Sequence, residues 1–167
     1  MIKTTLPTEI EAKFLVRTLP PSLDSFPHSP VKQGYVIATE NESMRLRQKS
    51  EAYFLTVKRG QGLTRTEVEI LLTAPQFLSL WPLTENHQLT KTRYYIPLEN
   101  SLTAELDLYH GSLEGLATVE VEFPDESSYR SFAKNNIPRW FGKEVTSDAR
   151  YLNQSLAFHG IPVDECL

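Results

Sequence analysis

The sequence predicts an α+β fold in which about eight short antiparallel strands close into a barrel with a few flanking helices. Three observations carry this. Apolar and charged residues alternate with a period of two through most of the chain. Turn-forming clusters interrupt the alternation at Glu40-Asn41-Glu42, Gly60-Gln61-Gly62, Glu99-Asn100-Ser101 and from Gly111 to Gly115. Helical periodicity is confined to three short stretches, which suits helices at one end or face of a sheet.

Residues 8–16 (TEIEAKFLV) read as the first strand. Pro20, Pro21, Pro27 and Pro30 then mark a loop with one short helical turn. Strands are expected over 31–40, 43–49, 52–59, 64–73, 89–97, 102–109 and 116–123, with a short helix over 75–81. Residues 125–135 begin with Asp125, a good N-cap, and carry Tyr129, Phe132 and Ala133. Residues 147–158 begin with Ser147 and align Ala149, Leu152, Leu156 and Ala157 on one stripe of a last helix.

The 167 residues fit a single domain, 1–167, and 40% hydrophobic content is enough for a packed core. A net charge of −4 and a pI near 5.6 argue against non-specific nucleic-acid binding or polybasic membrane binding. One cysteine, Cys166, permits no intrachain disulfide, which fits a reducing compartment. The first residues hold no apolar stretch of signal-peptide length, and no run approaches the ~20 apolar residues of a membrane span. The expectation is a cytoplasmic protein.

Several familiar chemistries find no support. His28, His87, His110 and His159 share no metal-ligand spacing and fit surface roles. No phosphate-binding glycine loop or nucleophile-elbow serine occurs, and Gly60-Gln61-Gly62 reads as a hairpin turn. Trp81, Trp140, Tyr94, Tyr95 and Tyr109 are expected to pack on the barrel's outer wall.

The charges follow a pattern of their own. Side chains at i and i+2 of a strand share a face. Glu9 and Glu11 precede Lys13 on the first strand; then come Arg45 with Arg47, Lys58, Glu67 with Glu69, Lys91 with Arg93, Glu105 with Asp107, and Glu120 with Glu122. A β-sandwich with one wet face also alternates apolar and charged residues. Solvated faces, however, usually mix signs, because like charges on neighbouring sites repel. Five of the seven contributing strands carry a same-sign pair alone, and the first adds Lys13 to its pair. Such stacks are costly unless a ligand of opposite sign joins them, as a polyanion with metal ions would.

If all these groups face one lumen, eight acids and six bases leave it at −2. Two divalent cations turn that to +2, which attracts a polyanion that the metal-free lumen repels. The sum predicts an absolute metal requirement, and oxygen-only ligands point to Mg²⁺ or Mn²⁺.

Glu9-Ile10-Glu11-Ala12-Lys13 resembles the ExExK signature of the CYTH superfamily, the triphosphate tunnel metalloenzymes. Met44-Arg45-Leu46-Arg47, Thr56-Val57-Lys58, Glu67-Val68-Glu69, Lys91-Thr92-Arg93-Tyr94, Glu105-Leu106-Asp107 and Val119-Glu120-Val121-Glu122-Phe123 recur in family order. So do Gln33-Gly34-Tyr35, Gly142-Lys143-Glu144-Val145-Thr146 and Arg150-Tyr151. The motif-bearing core is 7–159. The resemblance implies an eight-stranded antiparallel β-barrel tunnel with a few flanking helices, its C-terminal helix closing one end and Tyr35 in contact with the site. It implies metal ligation by Glu9, Glu11, Glu120 and Glu122, with Asp107, Glu67 and Glu69 serving a second metal or its waters. Lys13, Arg45, Arg47, Lys58, Lys91 and Arg93 would bind phosphate oxygens. The resemblance is also compatible with a homodimer.

Arginine forks suit bidentate phosphate contacts. If Lys58 and Lys91 face each other, each lowers the other's pKa, and Lys91 can then take the proton of the attacking water. The compact chain and its Gly-Lys-Glu-Val-Thr segment look most like small bacterial inorganic triphosphatases. Hydrolysis of tripolyphosphate to pyrophosphate and phosphate is therefore the expected activity. Hydrolysis of a nucleoside or thiamine triphosphate, adenylyl cyclisation, and non-catalytic polyphosphate or nucleotide binding stand as alternatives.

Overall fold

The computed structural model describes residues 10–39, 41–59, 66–135 and 137–163. Glu9, Glu40, Cys166 and the Gly60-Gln61-Gly62 turn lie outside the described residues. The strands are β1 (Ile10–Val16), β2 (His28–Ala38), β3 (Glu42–Lys49), β4 (Ala52–Arg59), β5 (Thr66–Leu72), β6 (Gln88–Pro97), β7 (Thr103–His110), β8 (Ala117–Phe123) and β9 (Phe141–Glu144). The helices are α1 (Ala74–Leu80), α2 (Glu126–Asn135) and α3 (Asn153–His159).

Among the described residues the strands form one antiparallel sheet ordered β5-β4-β3-β2-β6-β7-β8-β1-β9. This corrects the expected closed, eight-stranded barrel. The sheet has nine strands and is open, with β5 and β9 as its edges. The unforeseen β9 docks on the free side of β1, where closure would have required β5. Its four residues carry no alternation, and Gly142 lies so close to β1 that a Cβ there would meet the Leu15 carbonyl at 3.0 Å.

Strand parity sorts the side chains into two faces. On the convex face Ala12, Phe14, Leu106, Val119 and Val121 are buried under Phe132 of α2, Phe141 of β9 and Leu23 of a short 3-10 turn. Phe14 packs against Phe132 and Phe141 at centroid separations of 6.4 and 5.1 Å. Each such ring contributes about 1.5–3 kcal/mol by burial. Over β2–β4, α1 and a 3-10 turn at Trp81–Thr84 cover the same face, with Phe77 between Tyr53 and Trp81. Trp140 likewise stacks on Phe141 outside the sheet.

Two boundaries depart from expectation for local reasons. Pro30 belongs to β2, although a loop was expected there. It pairs with Thr92 of β6 just beyond the last β3 partner, Lys49 opposite Val31, so its missing N–H faces no ladder. The single helix expected over 147–158 is broken in two. Asp148 caps a 3-10 turn at Ala149–Tyr151, and extended backbone at Leu152 redirects the chain before α3 starts. The expected cap holds at α2, where Asp125 accepts from the Ser128 N–H at 2.7 Å, and on α1 Thr73, not foreseen as a cap, forms a capping box with Gln76.

Gly34 on β2 makes the docking of the 81–84 turn possible. A Cβ there would sit 2.5 Å from Thr84 Oγ1, and that hydroxyl is held by donating to the Trp81 carbonyl and accepting from Gln88 Nε2. Gly34→Ala is expected to cost about 1–3 kcal/mol of unfolding free energy, read from the urea midpoint. In a Thr84→Gly background the same substitution should cost less. Equal costs in both backgrounds would show that this contact is not the cause.

Candidate active site

Directly opposed residues of neighbouring strands share a face, so the concave face can be followed along the ladders. Glu11 stands opposite Glu122, and Lys13 opposite Glu120. Glu120 is opposite Glu105, and Asp107 opposite both Thr118 and Arg93. Arg93 and Lys91 then face Ser29 and Val31 of β2. Across β3 and β4, Tyr35 opposes Arg45, Arg45 opposes Thr56, and Thr56 opposes Glu69, while Lys58 opposes Glu67. Every described residue predicted for the site thus lies on one face of one sheet.

That face curls on itself. Five strands separate β4 from β1 in the sheet, yet the Lys58 charge acts on Glu11. Arg47 of β3 feels Arg93 and Glu105, and Tyr35 of β2 feels Glu120.

Water exposure falls along the lumen. Glu11, Glu122, Glu67 and Glu69 are exposed at one end. Lys13, Lys91, Asp107 and Thr118 are buried further in. Beyond them the same face turns apolar, with Leu15, Leu89 and Tyr109 joining Leu113, Val145, Tyr151 and Leu156 in a cluster under α3. The concavity is a cup with a charged, wet mouth and an apolar floor.

Asp107, fully buried, organises the depth of the cup. Its Oδ2 accepts from Lys91 Nζ and Arg93 Nη2, both at 2.6 Å, and its Oδ1 from Arg93 Nε at 2.7 Å. Arg93 also pairs with Glu105 and, at 2.8 Å, with Glu120, which in turn meets Lys13 Nζ at 3.0 Å. Near the mouth Glu69 accepts from Arg47 at 3.0 Å and from the Thr56 hydroxyl at 2.8 Å, and Lys58 pairs with Glu67 at 2.8 Å. Asp107, Glu67 and Glu69 therefore all have oxygens engaged by cations.

Protonation follows from these partners. Burial would raise the Glu120 pKa, but the Lys13, Arg93 and Lys91 charges outweigh it and hold the carboxyl well below its usual range. Burial would lower Arg93, yet Asp107, Glu120 and Glu105 keep it firmly charged. Lys91 is lowered to about 8, first by burial, with Asp107 opposing and Arg93 reinforcing the shift. The cause expected from the sequence, a facing Lys58, is not what lowers it. Burial lifts the Tyr35 phenol to about 12, so it is neutral at pH 7 and accepts from Gln33 Nε2 at 3.0 Å.

Two features suit a metal-bearing polyanion. Arg45 Nε and Arg47 Nε are buried without a hydrogen-bond partner, which leaves cationic donors for an acceptor from outside the chain. At the opposite wall Glu11 faces Glu122 directly, and burial, then Glu120 and last Glu122, raise the Glu11 pKa above 4.5 against the opposing charges of Lys13 and Lys58. Like charges so placed repel unless a cation joins them. Among the described residues no three His, Cys, Asp or Glu side chains form a metal-holding group.

Two residues at the floor escaped the sequence reading. Tyr109, expected on the outer wall, faces the lumen beside Lys91, whose ammonium lies 5.4 Å from its ring centre. Its position two residues after Asp107 was the signal. Asn153 of α3 accepts from the Tyr109 hydroxyl at 2.8 Å and from Lys91 Nζ at 3.3 Å. No periodicity pointed to it. Tyr95, also expected outside, shares the lumen face opposite Glu105. The four histidines lie at element ends and loops, and His87 stacks on Phe158 of α3 at 3.8 Å.

The comparisons with known proteins bear on the whole chain. No family model matches it. The chain is 45% identical over 152 residues to an inorganic triphosphatase of Nitrosomonas europaea, spanning 90% of this chain and 97% of that protein. It is 35% identical over 154 residues to an inorganic triphosphatase of Acetivibrio thermocellus, spanning 89% and 92% of the two chains. A crystal structure of an inorganic triphosphatase superposes with a TM-score of 0.72 at 42% identity, covering 95% of this chain and 99% of that one.

Removing Asp107 leaves two buried cations without their shared anion, so Asp107→Ala should cost about 3–5 kcal/mol, measured by urea unfolding. Glu11→Gln should act the other way in EDTA. A carboxyl whose folded pKa stands above 4.5 penalises the folded state once pH exceeds the unfolded value. The variant should therefore melt higher than the parent at pH 7 and equally at pH 3. The gain should be under ~1 kcal/mol, since water at the mouth screens the charge. A lower melting temperature for Glu11→Gln at pH 7 would refute the like-charge account.

Proposed function

The chain belongs to the inorganic triphosphatase family of the CYTH superfamily, and we propose that it hydrolyses inorganic tripolyphosphate to pyrophosphate and phosphate with divalent metal ions. The observation that carries this is the buried, unpartnered Nε of Arg45 and Arg47 facing a wall of carboxylates across one cup. The arginine wall offers donors to phosphate oxygens, and the opposite wall combines carboxylates for the accompanying cations with Lys13 and Arg93.

In this reading Arg45, Arg47, Arg93, Lys13 and Lys58 bind and orient the phosphate chain. Arginine supplies fixed forks, and phosphoryl transfer depends on positioning and charge neutralisation more than on covalent help. Glu11 and Glu122, with Glu9 and Glu120, would hold Mg²⁺ or Mn²⁺, two ions per site. When bound, these ions neutralise phosphate oxygens and lower the pKa of water. We assign Asp107, Glu67 and Glu69 to the orientation of Lys91, Arg93, Arg47 and Lys58, with which they pair.

Lys91 is the group suited to take the proton from the attacking water. It is buried, and its pKa of about 8 leaves a useful fraction neutral near physiological pH. Lys58, at the wet end and paired to Glu67, contributes charge. The floor beyond Lys91 is apolar, so a linear triphosphate enters end-on and presents its terminal phosphoryl group to the lysine.

No helix among the described residues is long and apolar enough to cross a membrane, and we place the protein in the cytoplasm. We keep a homodimer as the assembly, with the exposed Val68 and Ile70 on the outer face of edge strand β5 as the surface a second copy would cover.

Phosphate release from tripolyphosphate, ATP, thiamine triphosphate and pyrophosphate, each with Mg²⁺, Mn²⁺ or EDTA, tests the assignment. Tripolyphosphate should be turned over fastest and only with metal. Undiminished turnover in EDTA, or cyclic AMP formation from ATP as the main activity, would overturn it. Arg47→Ala should lower kcat/KM about 10²-fold. For the parent enzyme kcat/KM should climb through about pH 8, because the neutral amine of Lys91 accumulates as pH rises. Lys91→Ala should fall about 10²-fold or more and lose that climb. A Lys91→Ala enzyme with full kcat would remove the base assignment.

A further inference from the structure

We propose that Asn153, the first residue of α3, is a positioning residue for this reaction: its side-chain carbonyl fixes the direction of the Lys91 ammonium at the floor of the cup. The inference rests on the reading of Lys91 as a reacting group and adds a residue from outside the sheet to the site.

The local chemistry of α3 singles out Asn153. Asparagine at a helix start ordinarily turns its carbonyl to the helix's own free N–H groups. Here the N-cap is Leu152, and no side chain caps α3. Asn153 Oδ1 instead accepts from two groups distant in sequence, the Tyr109 hydroxyl at 2.8 Å and Lys91 Nζ at 3.3 Å. An amide oxygen has two lone pairs, and both are engaged.

The geometry at Lys91 gives this contact a consequence. An ammonium on a four-carbon stem carries three donors that rotate freely. Asp107 at 2.6 Å fixes one of them. A single fixed donor still lets the other two swing. Asn153 fixes the second, so the third direction is set by tetrahedral geometry. That remaining direction carries either the N–H offered to a phosphate oxygen or, after proton loss, the lone pair that meets the water.

The helix holds the carbonyl in place. Leu156 is buried in the floor cluster, and Phe158 stacks on His87 with ring planes 9° apart. Tyr109 is itself buried on β7, and its phenol is held neutral by burial and by the Asp107 and Glu120 charges, so it stays a donor to Asn153. The relay Tyr109–Asn153–Lys91 therefore joins a rigid strand, the last helix and the reacting lysine.

Steady-state kinetics on metal-loaded enzyme with tripolyphosphate test this. Asn153→Ala should lower kcat about 10-fold with KM within twofold of the parent, since misplacing one reacting group acts on the chemical step. Tyr109→Phe, which frees the carbonyl, should lower kcat about threefold and have no further effect once Asn153→Ala is present. In a Lys91→Ala background Asn153→Ala should change kcat by less than twofold, because its route to the reaction is gone.

A residue that only anchors α3 would give the same fold-loss in both lysine backgrounds, and that result overturns the proposal. So does a change in KM with kcat intact. Should Asn153→Ala fail to fold, Asn153→Ser and Tyr109→Phe carry the same cycles, with melting temperatures recorded for each. An inactive Lys91→Ala enzyme beside a fully active Asn153→Ala enzyme sinks this inference alone. A fully active Lys91→Ala enzyme sinks the assignment of Lys91 and this inference with it.

Discussion

Lys91 and Arg93 sit two residues apart on one strand, turned to the same side and largely removed from water, and Asp107 makes that arrangement tolerable. One carboxylate gives both its oxygens to two cations from a position with no exposure of its own. A buried charge without a partner is prohibitive, and a pair of like charges more so. Asp107 therefore stabilises the pairing of β6 with β7 in this register. The same bond that settles the fold also fixes the direction of the guanidinium and of the amine. Because Asp107 only partly offsets the burial of Lys91, the lysine remains able to lose its proton near pH 8. Structure and reactivity here come from one incomplete compensation.

The cup divides into two electrostatic regimes. Deep inside, donors and acceptors are matched within the chain: Asp107 with Lys91 and Arg93, Glu120 with Lys13 and Arg93, Asn153 with Tyr109. Towards the mouth the matching is partial: Arg47 pairs with Glu69 and Lys58 with Glu67. Arg45 and Arg47 keep buried Nε atoms without acceptors, and Glu11 and Glu122 face each other. A triphosphate with its cations answers both deficits at once, because each partner cancels the excess of one wall. Recognition thus draws on the unpartnered Nε atoms of Arg45 and Arg47, while the groups that act on the bound phosphate are oriented beforehand.

Much of this was legible in the sequence because strand parity is a rigid rule. Once Glu105 and Asp107, or Lys91 and Arg93, occupy alternate positions, the pleat places them on one side whatever the tertiary fold. The same rule would have turned Tyr109 and Tyr95 inward, and it was set aside in favour of the preference of aromatic rings for packing surfaces. Other features had no local signal. β9 is four residues long and adjoins Gly142, too short for periodicity to register. The break at Leu152 that aims Asn153 into the cup depends on the Asp148 cap and on floor packing, neither of which alters the apolar stripe of 147–158. The cause of the Lys91 shift was equally hidden, since burial is a property of the assembled fold and a second lysine is a property that can be read from the chain.

The open sheet explains how such a lumen holds its shape. A closed barrel is locked by its last ladder, whereas among the described residues β5 and β9 are edges and no ladder joins them. A charged lumen cannot supply apolar adhesion between its walls. Curvature must therefore be imposed from outside and from below. On the convex side Phe132, Phe141 and Leu23 pack over β1, β6, β7 and β8, and the bulge between Tyr35 and Ile37 lets β2 and β3 bend. At the floor α3 presses on Leu89, Tyr109 and Leu113. Stability accordingly resides in the two apolar layers, and the wall-to-wall interactions are left to the ligand. An unclosed sheet therefore suits a site whose two walls are joined by their substrate.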